Sequence, residues 1–369
     1  MSYDLAVVGA GICGLAHALA AAKRGKRVIV IDRDAQANGA SVRNFGFVTV
    51  TGQQAGDCWR RALRSRDVWA EIAPQAGIEI VQRGLFVAAR RAEALAVLEA
   101  FAATEMGAGC RLLAPCEIAQ YGGLRPLKGA LYSPHEIRVE SREAIPRLAA
   151  WLADRHQVTF MLETAVRAVA PPRVETSRGA VEAEAVVVCP GDDFVSLLPE
   201  KLAGLTRCKL HMMRLKPERF DANLPTVMSD LGLVRYLGYA ELPEAAVLKR
   251  RLEAEQGAQL EHGVHLIVAR SADGSLVVGD SHHYGATPDP FAPGFVDDLI
   301  LAEYAAVFDG SVPAIEARWT GTYASAPDRL MQRERVSDGF YVVLITSGTG
   351  ASTSFAIAEE TIAELYGVA

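Results

Sequence analysis

The chain has 369 residues, half of them apolar and 22% charged, which excludes a disordered protein and calls for two domains rather than one core. Its net charge of −6 speaks against a nucleic-acid surface. The six cysteines (Cys13, Cys58, Cys110, Cys116, Cys189, Cys208) show no C-x-x-C pair and no histidine spacing suited to zinc, so a reduced, cytoplasmic protein with no metal site is expected. Asp4 precedes the apolar N-terminal run where an export signal carries positive charge, and no apolar run approaches the ~20 residues of a membrane span, so no transmembrane segment is expected. Basic clusters such as RRALRSRD (60–67) and KRRLEAEQ (249–256) read as solvated helix faces.

The first elements are the most informative. In YDLAVVGAGICGLAHALAAAKRGKRVIVIDRD, Leu5 to Val8 form the continuous apolar run of a parallel strand covered on both faces. Gly9, Gly11 and Gly14 make G-x-G-x-x-G at its end, Ile12 to Arg24 reads as a helix stopped by Gly25, and a second strand ends at Asp32. In this order the loop Gly9-Ala10-Gly11-Ile12-Cys13-Gly14 lets backbone approach a pyrophosphate, the helix N-terminus supplies N–H groups and partial positive charge, and Asp32 accepts from ribose hydroxyls. The N-terminus is therefore read as an adenine-dinucleotide site, with Arg33 beside it. His17, inside the helix, reads as packing.

Soon after Asp32 comes GASVRNFGFV, residues 39–48. Ala40, Ser41, Asn44 and Gly46 match the A-S-x-x-N-x-G segment that follows the ribose-binding acid in one group of flavoenzymes. The sequence resembles the D-amino-acid oxidase and glycine/sarcosine oxidase superfamily. The resemblance implies an α/β fold in which a Rossmann-like, GR2-type FAD-binding domain (1–80, 140–205, 318–369) interleaves with an antiparallel-sheet substrate-binding domain (81–139, 206–317). It places Ser41, Arg43, Asn44, Phe45 and Gly46 beside the flavin and pyrophosphate.

Further along, SREAIPRLAAWLADRH (141–156) is an amphipathic helix with Ser141 as its N-cap, followed by a strand whose Val166 falls where the family's chain reaches the adenine. AEAVVVCPGDD (183–193) is a buried strand, and the resemblance puts Cys189 and Gly191 at the FAD, with Cys189-Pro190 replacing the usual small pair. TRCKLHMMRL (206–215) alternates as an antiparallel strand with one wet face, its Met212-Met213 pair read as core packing, and GVHLIVARSADGSLVVGD (263–280) is a hairpin turning at Asp273-Gly274. FYVVLITSGTGASTSFAIAEETIAELY (340–366) is strand, glycine-rich loop and helix. Its loop, Gly348, Thr349, Gly350, Ala351, Ser352 and Thr353, resembles the family's C-terminal G-x-G segment, whose helix N-terminus faces the flavin N1–C2=O edge. Thr349 stands where the pattern carries His.

The substrate side departs from the family more sharply. Relatives that bind FAD covalently do so through a Cys before a Y-T-x-T-P-D motif; here that position is Gly321, so non-covalent FAD is expected. Amino-acid oxidising members hold the substrate carboxylate with an arginine in G-x-R-P or a lysine after G-x-G, and here Tyr323 and Ser352 occupy those places. The cations left are Arg43, Lys209 and His211 on one face of a strand, and His282-His283, of which at most one can face the flavin. SVRNFG, TRCKLHMMR, GDSHHY and SGTGAST together resemble a subgroup associated with phosphonate catabolism. That implies FAD-dependent oxidation of a small anionic amine, 2-aminoethylphosphonate or its N-alkyl derivatives, with O2 or another acceptor taking the electrons. Arg43, Lys209, His211, His282, Tyr323 and Ser352 are the candidate substrate-site residues. Alternatives are a glycine/sarcosine-type oxidase, a dehydrogenase feeding a quinone or carrier protein, and an FAD protein in tRNA modification or assembly, for which the acidic chain lacks a basic extension.

Overall fold

The computed structural model describes residues 2–367. Ser2–Val8 lies in the middle of a sheet, and its apolar run is buried on both faces. Val28–Ile31 and Thr159–Met161 continue this sheet on one side, Gly179–Val188 and Phe340–Ile345 on the other, all parallel. Met331–Ser337 closes one edge antiparallel. The helix Ile12–Ala22 packs against Ser141–His156 and Gly350–Tyr366, and Gly350–Tyr366 packs on Asp57–Gln75. Trp69 pins that last contact: its indole N–H donates to the Ala351 carbonyl at 2.9 Å and its ring meets Phe355 edge-on at 5.2 Å. Truncating so buried an aromatic to Ala costs about 3–5 kcal/mol.

The second sheet runs in the order His283–Gly285, Thr206–Lys216, Leu276–Gly279, Ile267–Arg270, Thr226–Met228, Ile80–Ala89, Gly129–Val139, Phe47–Val48, with Ala314–Ser325 also paired to Thr206–Lys216. It is antiparallel except where Thr226–Met228 lies parallel to Ile80–Ala89. Ile267–Arg270 and Leu276–Gly279 form the hairpin predicted around Asp273-Gly274. The sheet takes Phe47 and Val48 from the stretch expected in the FAD-binding unit, and Ala314–Ser325 carries it past residue 318.

Two local expectations are corrected. Ser141 is the first residue of its helix, Glu140 holds the extended N-cap position, and no side chain caps that end. The Thr206–Lys216 strand has no wet face: it is internal to the sheet, and Lys209, His211 and Arg214 on it are buried. Arg214, for example, donates to Ser271 and Ser275 at 3.0 and 2.7 Å.

Candidate active site

A cavity of about 620 Å³ runs from the Gly9–Gly14 loop, between the two sheets, to the end of the second sheet at Tyr284. At its first end the glycines act as the sequence requires. Gly9 has φ +107, a left-handed backbone that favours glycine, and a Cβ on Gly14 would collide with the Gly9 carbonyl oxygen. Asp32 pins this loop: its carboxylate accepts from the Ala10 N–H at 2.6 Å and from Asp34 N–H at 2.9 Å. The helix begins at Ile12 with Gly11 at its N-cap, so first-turn backbone N–H groups beyond Ile12 remain for an anion. Ser41 Oγ accepts from the Ile12 N–H at 2.9 Å, which ties the 39–48 segment to the loop.

The second helix terminus at this cavity is that of Gly350–Tyr366, with Thr349 at its N-cap and no side-chain cap. A Cβ on Gly348 would stand 3.7 Å from the Tyr323 hydroxyl, so Tyr323 faces this loop. Burial pushes the Tyr323 phenol well above its ordinary range. Two helix N-termini, a glycine cradle and a ribose-accepting carboxylate fit an adenine dinucleotide, and Val166, Cys189 and Gly191 complete the wall at that end.

The far end carries groups the sequence did not single out. Arg235, just after the 3-10 helix Asp230–Val234, donates to the Tyr284 hydroxyl at 2.7 Å. Against the burial that works to discharge it, Tyr284, Tyr323 and Asp280 hold its pKa above the usual arginine value. Asp280 lies 2.8 Å from His265 Nδ1 and 3.7 Å from His282 Nε2. Burial works to raise the Asp280 pKa, yet His265, His282 and Arg235 hold it below the usual carboxylate value. His265 and Asp280 exchange backbone hydrogen bonds at 3.1 and 2.8 Å, so a one-residue slip from the hairpin register brings them opposite one another.

Of the candidate substrate-site residues, Arg43, His282 and Tyr323 line the cavity. Arg43 donates to Asn38 at 3.0 Å rather than pairing with an acid. Lys209 and His211 are corrected: Leu210 faces the cavity, and strand alternation sends its neighbours to the opposite side. There Lys209 donates to the carbonyls of Asp289 and Phe291 at 2.7 and 2.6 Å, and His211 lies 3.5 Å from Asp297. Ser352 is also buried away from the cavity, where its Oγ accepts from the Thr49 N–H at 2.8 Å, and Thr353 donates to the Thr349 carbonyl at 3.0 Å. Ser352 lies in the first turn of the helix and Thr353 directly follows, but neither side chain lines the cavity. Gly46 lies behind the wall, turning the chain at φ +67 against Val139.

His17 packs as expected, but not alone. Its ring comes within 4.0 and 3.8 Å of the Cys13 and Cys189 sulfurs, so these distant cysteines and one histidine gather behind the glycine loop, a grouping that linear spacing does not reveal. Its Nδ1 donates to the Cys13 carbonyl at 2.7 Å.

Residues 4–364 match the family model described as DAO, FAD dependent oxidoreductase. The chain belongs to this family. No curated protein sequence matches it. Among solved structures it is similar to glycine oxidase from Bacillus cereus ATCC 14579, at 16% identity and TM-score 0.79 over 99% of this chain and 95% of that one. It is similar to L-amino acid deaminase from Proteus vulgaris, at 17% identity and TM-score 0.76 over 100% and 94% of the two chains. It also resembles L-alpha-glycerophosphate oxidase from Mycoplasma pneumoniae with FAD bound, at 14% identity and TM-score 0.75 over 99% and 95%. At these identities the likeness is one of fold. This member of the FAD-dependent oxidoreductases has the family's mixed α/β architecture with one largely parallel sheet, and FAD is its cofactor. No helix among the described residues is long and apolar enough to cross a membrane.

Proposed function

We propose that this family member oxidises a small anionic amine, 2-aminoethylphosphonate or its N-methyl derivative, to phosphonoacetaldehyde with release of ammonia or methylamine. The observation that carries the reading is Arg235, a charged guanidinium in the cavity wall at the end away from the glycine cradle. FAD, held at the Gly9–Gly14 loop, Asp32 and the Gly348–Ala351 loop, supplies the hydride acceptor when bound. The chain's own contribution is to anchor the substrate's anion at Arg235 with the Tyr284 hydroxyl beside it, and so to fix the carbon next to nitrogen. A phosphonate offers three acceptor oxygens to such spread donors. The sequence's resemblance to phosphonate-associated relatives supports the same substrate. A solved structure of this fold is named L-alpha-glycerophosphate oxidase, which lends support to a phosphorus-containing head group.

Arg235 also favours a second reading. A guanidinium forks a carboxylate equally well, and similar solved structures are glycine oxidases, so a glycine- or sarcosine-type substrate competes with the phosphonate. Anaerobic flavin bleaching by 2-aminoethylphosphonate, its N-methyl form, glycine, sarcosine and β-alanine separates the two. Faster bleaching by the phosphonates supports the first reading; equal or faster bleaching by the carboxylates overturns it. Peroxide formation in air then tells O2 from another electron acceptor.

A further inference from the structure

The cavity holds one cluster that anchoring an anion does not explain. His265, Asp280 and His282 are 3%, 4% and 7% exposed, and all three line the cavity wall. His282 Nδ1 donates to the Gly263 carbonyl at 2.8 Å, which fixes the tautomer and leaves Nε2 as the atom with a free lone pair. Beside that same atom, Asp280 Oδ2 lies 3.7 Å from Nε2, and Asp280 Oδ1 lies 2.8 Å from His265 Nδ1. The latter contact is not directed along the ring N–H. Asp280 Oδ1 and both nitrogens of His265 are therefore buried without a hydrogen-bond partner. Buried polar atoms left open in a cavity wall are costly unless a ligand or a proton uses them.

Resting on the reading that the chain oxidises an amine, we propose that His282 takes the proton that the substrate's ammonium group must lose, with Asp280 and His265 as positioning residues beside it. An ammonium nitrogen has no lone pair to assist loss of hydride from the adjacent carbon. One N–H bond breaks, its electron pair stays on the amine nitrogen, and the proton bonds to His282 Nε2. The Asp280 carboxylate compensates the imidazolium so formed, and His265 Nδ1 stands 2.8 Å from its other oxygen. The proton passes to water when product leaves.

The groups facing His282 set the balance. Burial pushes it down to about 3, Asp280 pulls it up, and Arg235 and His265 push it down, so the resting ring is neutral and only weakly basic until substrate binds. The Arg235 charge acts on Asp280 and His282 alike, so a divalent cation there would meet a fixed positive charge. A bound anion at Arg235 screens that charge and raises the basicity of His282 only when substrate is present.

The test is the pH dependence of anaerobic flavin reduction in wild type, His282→Gln and Asp280→Asn, using whichever of 2-aminoethylphosphonate and sarcosine reduces the wild-type flavin. His282→Gln is expected to fall about 100-fold below wild type near pH 7, to gain tenfold per pH unit, and to converge on wild type above the amine's own pKa. Asp280→Asn, nearly isosteric, should fall about tenfold near pH 7 and converge in the same way. FAD content and flavin absorbance should match wild type in both, which separates loss of a base from loss of fold. A His282→Gln profile parallel to wild type at every pH overturns the proposal and leaves the functional reading standing. If neither amine reduces the wild-type flavin, the functional reading itself fails.

Discussion

Arg235 Nη2 donates to the Tyr284 hydroxyl at 2.7 Å, joining the turn after a 3-10 helix to the short edge strand His283–Gly285. This bond aims the guanidinium into the cavity and leaves its other N–H groups for an anion. Arg235→Met should raise KM for anionic amines about 100-fold, the loss of roughly 2.7 kcal/mol of charge-assisted hydrogen bonding. Tyr284→Phe should raise it about five- to tenfold, because the charge remains and only its aim loosens. Steady-state kinetics on both variants check this, with neutral amines expected to respond much less.

Asp32 holds the glycine loop through Ala10 and is placed to accept from a ribose. Asp32→Ala should weaken FAD binding by about 10- to 100-fold, read from recovery of flavin fluorescence as the holoprotein is diluted.

FAD should be released intact. A Cβ at Gly321 would stand 2.9 Å from the Arg43 carbonyl oxygen, so this position, where covalent relatives carry Cys, has no room for a side chain. Acid precipitation should give a colourless pellet and a yellow supernatant; a yellow pellet contradicts non-covalent binding.

The neutral, buried His282 links stability to pH. Its folded pKa of about 3 lies below the ordinary 6.5, so between those values the unfolded chain binds the proton and the folded chain does not. Stability therefore rises with pH across that window, and falls on acidification by up to about 1.4 kcal/mol per unit from this group. Asp280, also lowered, adds in the same direction at the acid end. Urea midpoints measured between pH 7 and 4 should drop less steeply in His282→Gln.

Much of the cofactor end was legible in sequence because its physics is local. The strand, glycine cradle, helix and acid of residues 5–32 are contiguous, and Gly14 answers to Gly9 within that unit, although Gly9 and Gly11 answer to Cys189 and Ser41 beyond it. The substrate end was not, because its groups converge from separate elements. Arg235 lies in a short irregular turn with no periodic signal, and only the packing of Asp230–Val234 beside the sheet brings it to the cavity. Lys209 and His211 were attractive as cations on a strand, but alternation gives them either face, and Leu210 took the cavity. His265 and Asp280 were hidden for a further reason: counting outward from the Asp273-Gly274 turn sets Asp280 opposite Leu266, and only a one-residue slip beyond Ile267 and Gly279 pairs it with His265.

Anaerobic reduction of the holoenzyme by 2-aminoethylphosphonate against β-alanine, its carboxylate counterpart, tests the central claim most directly, since the two differ in the anion Arg235 must hold. The account predicts complete flavin bleaching by the phosphonate or its N-methyl form at millimolar concentration, with at least tenfold slower bleaching by β-alanine, glycine and sarcosine. No bleaching by either phosphonate would contradict it.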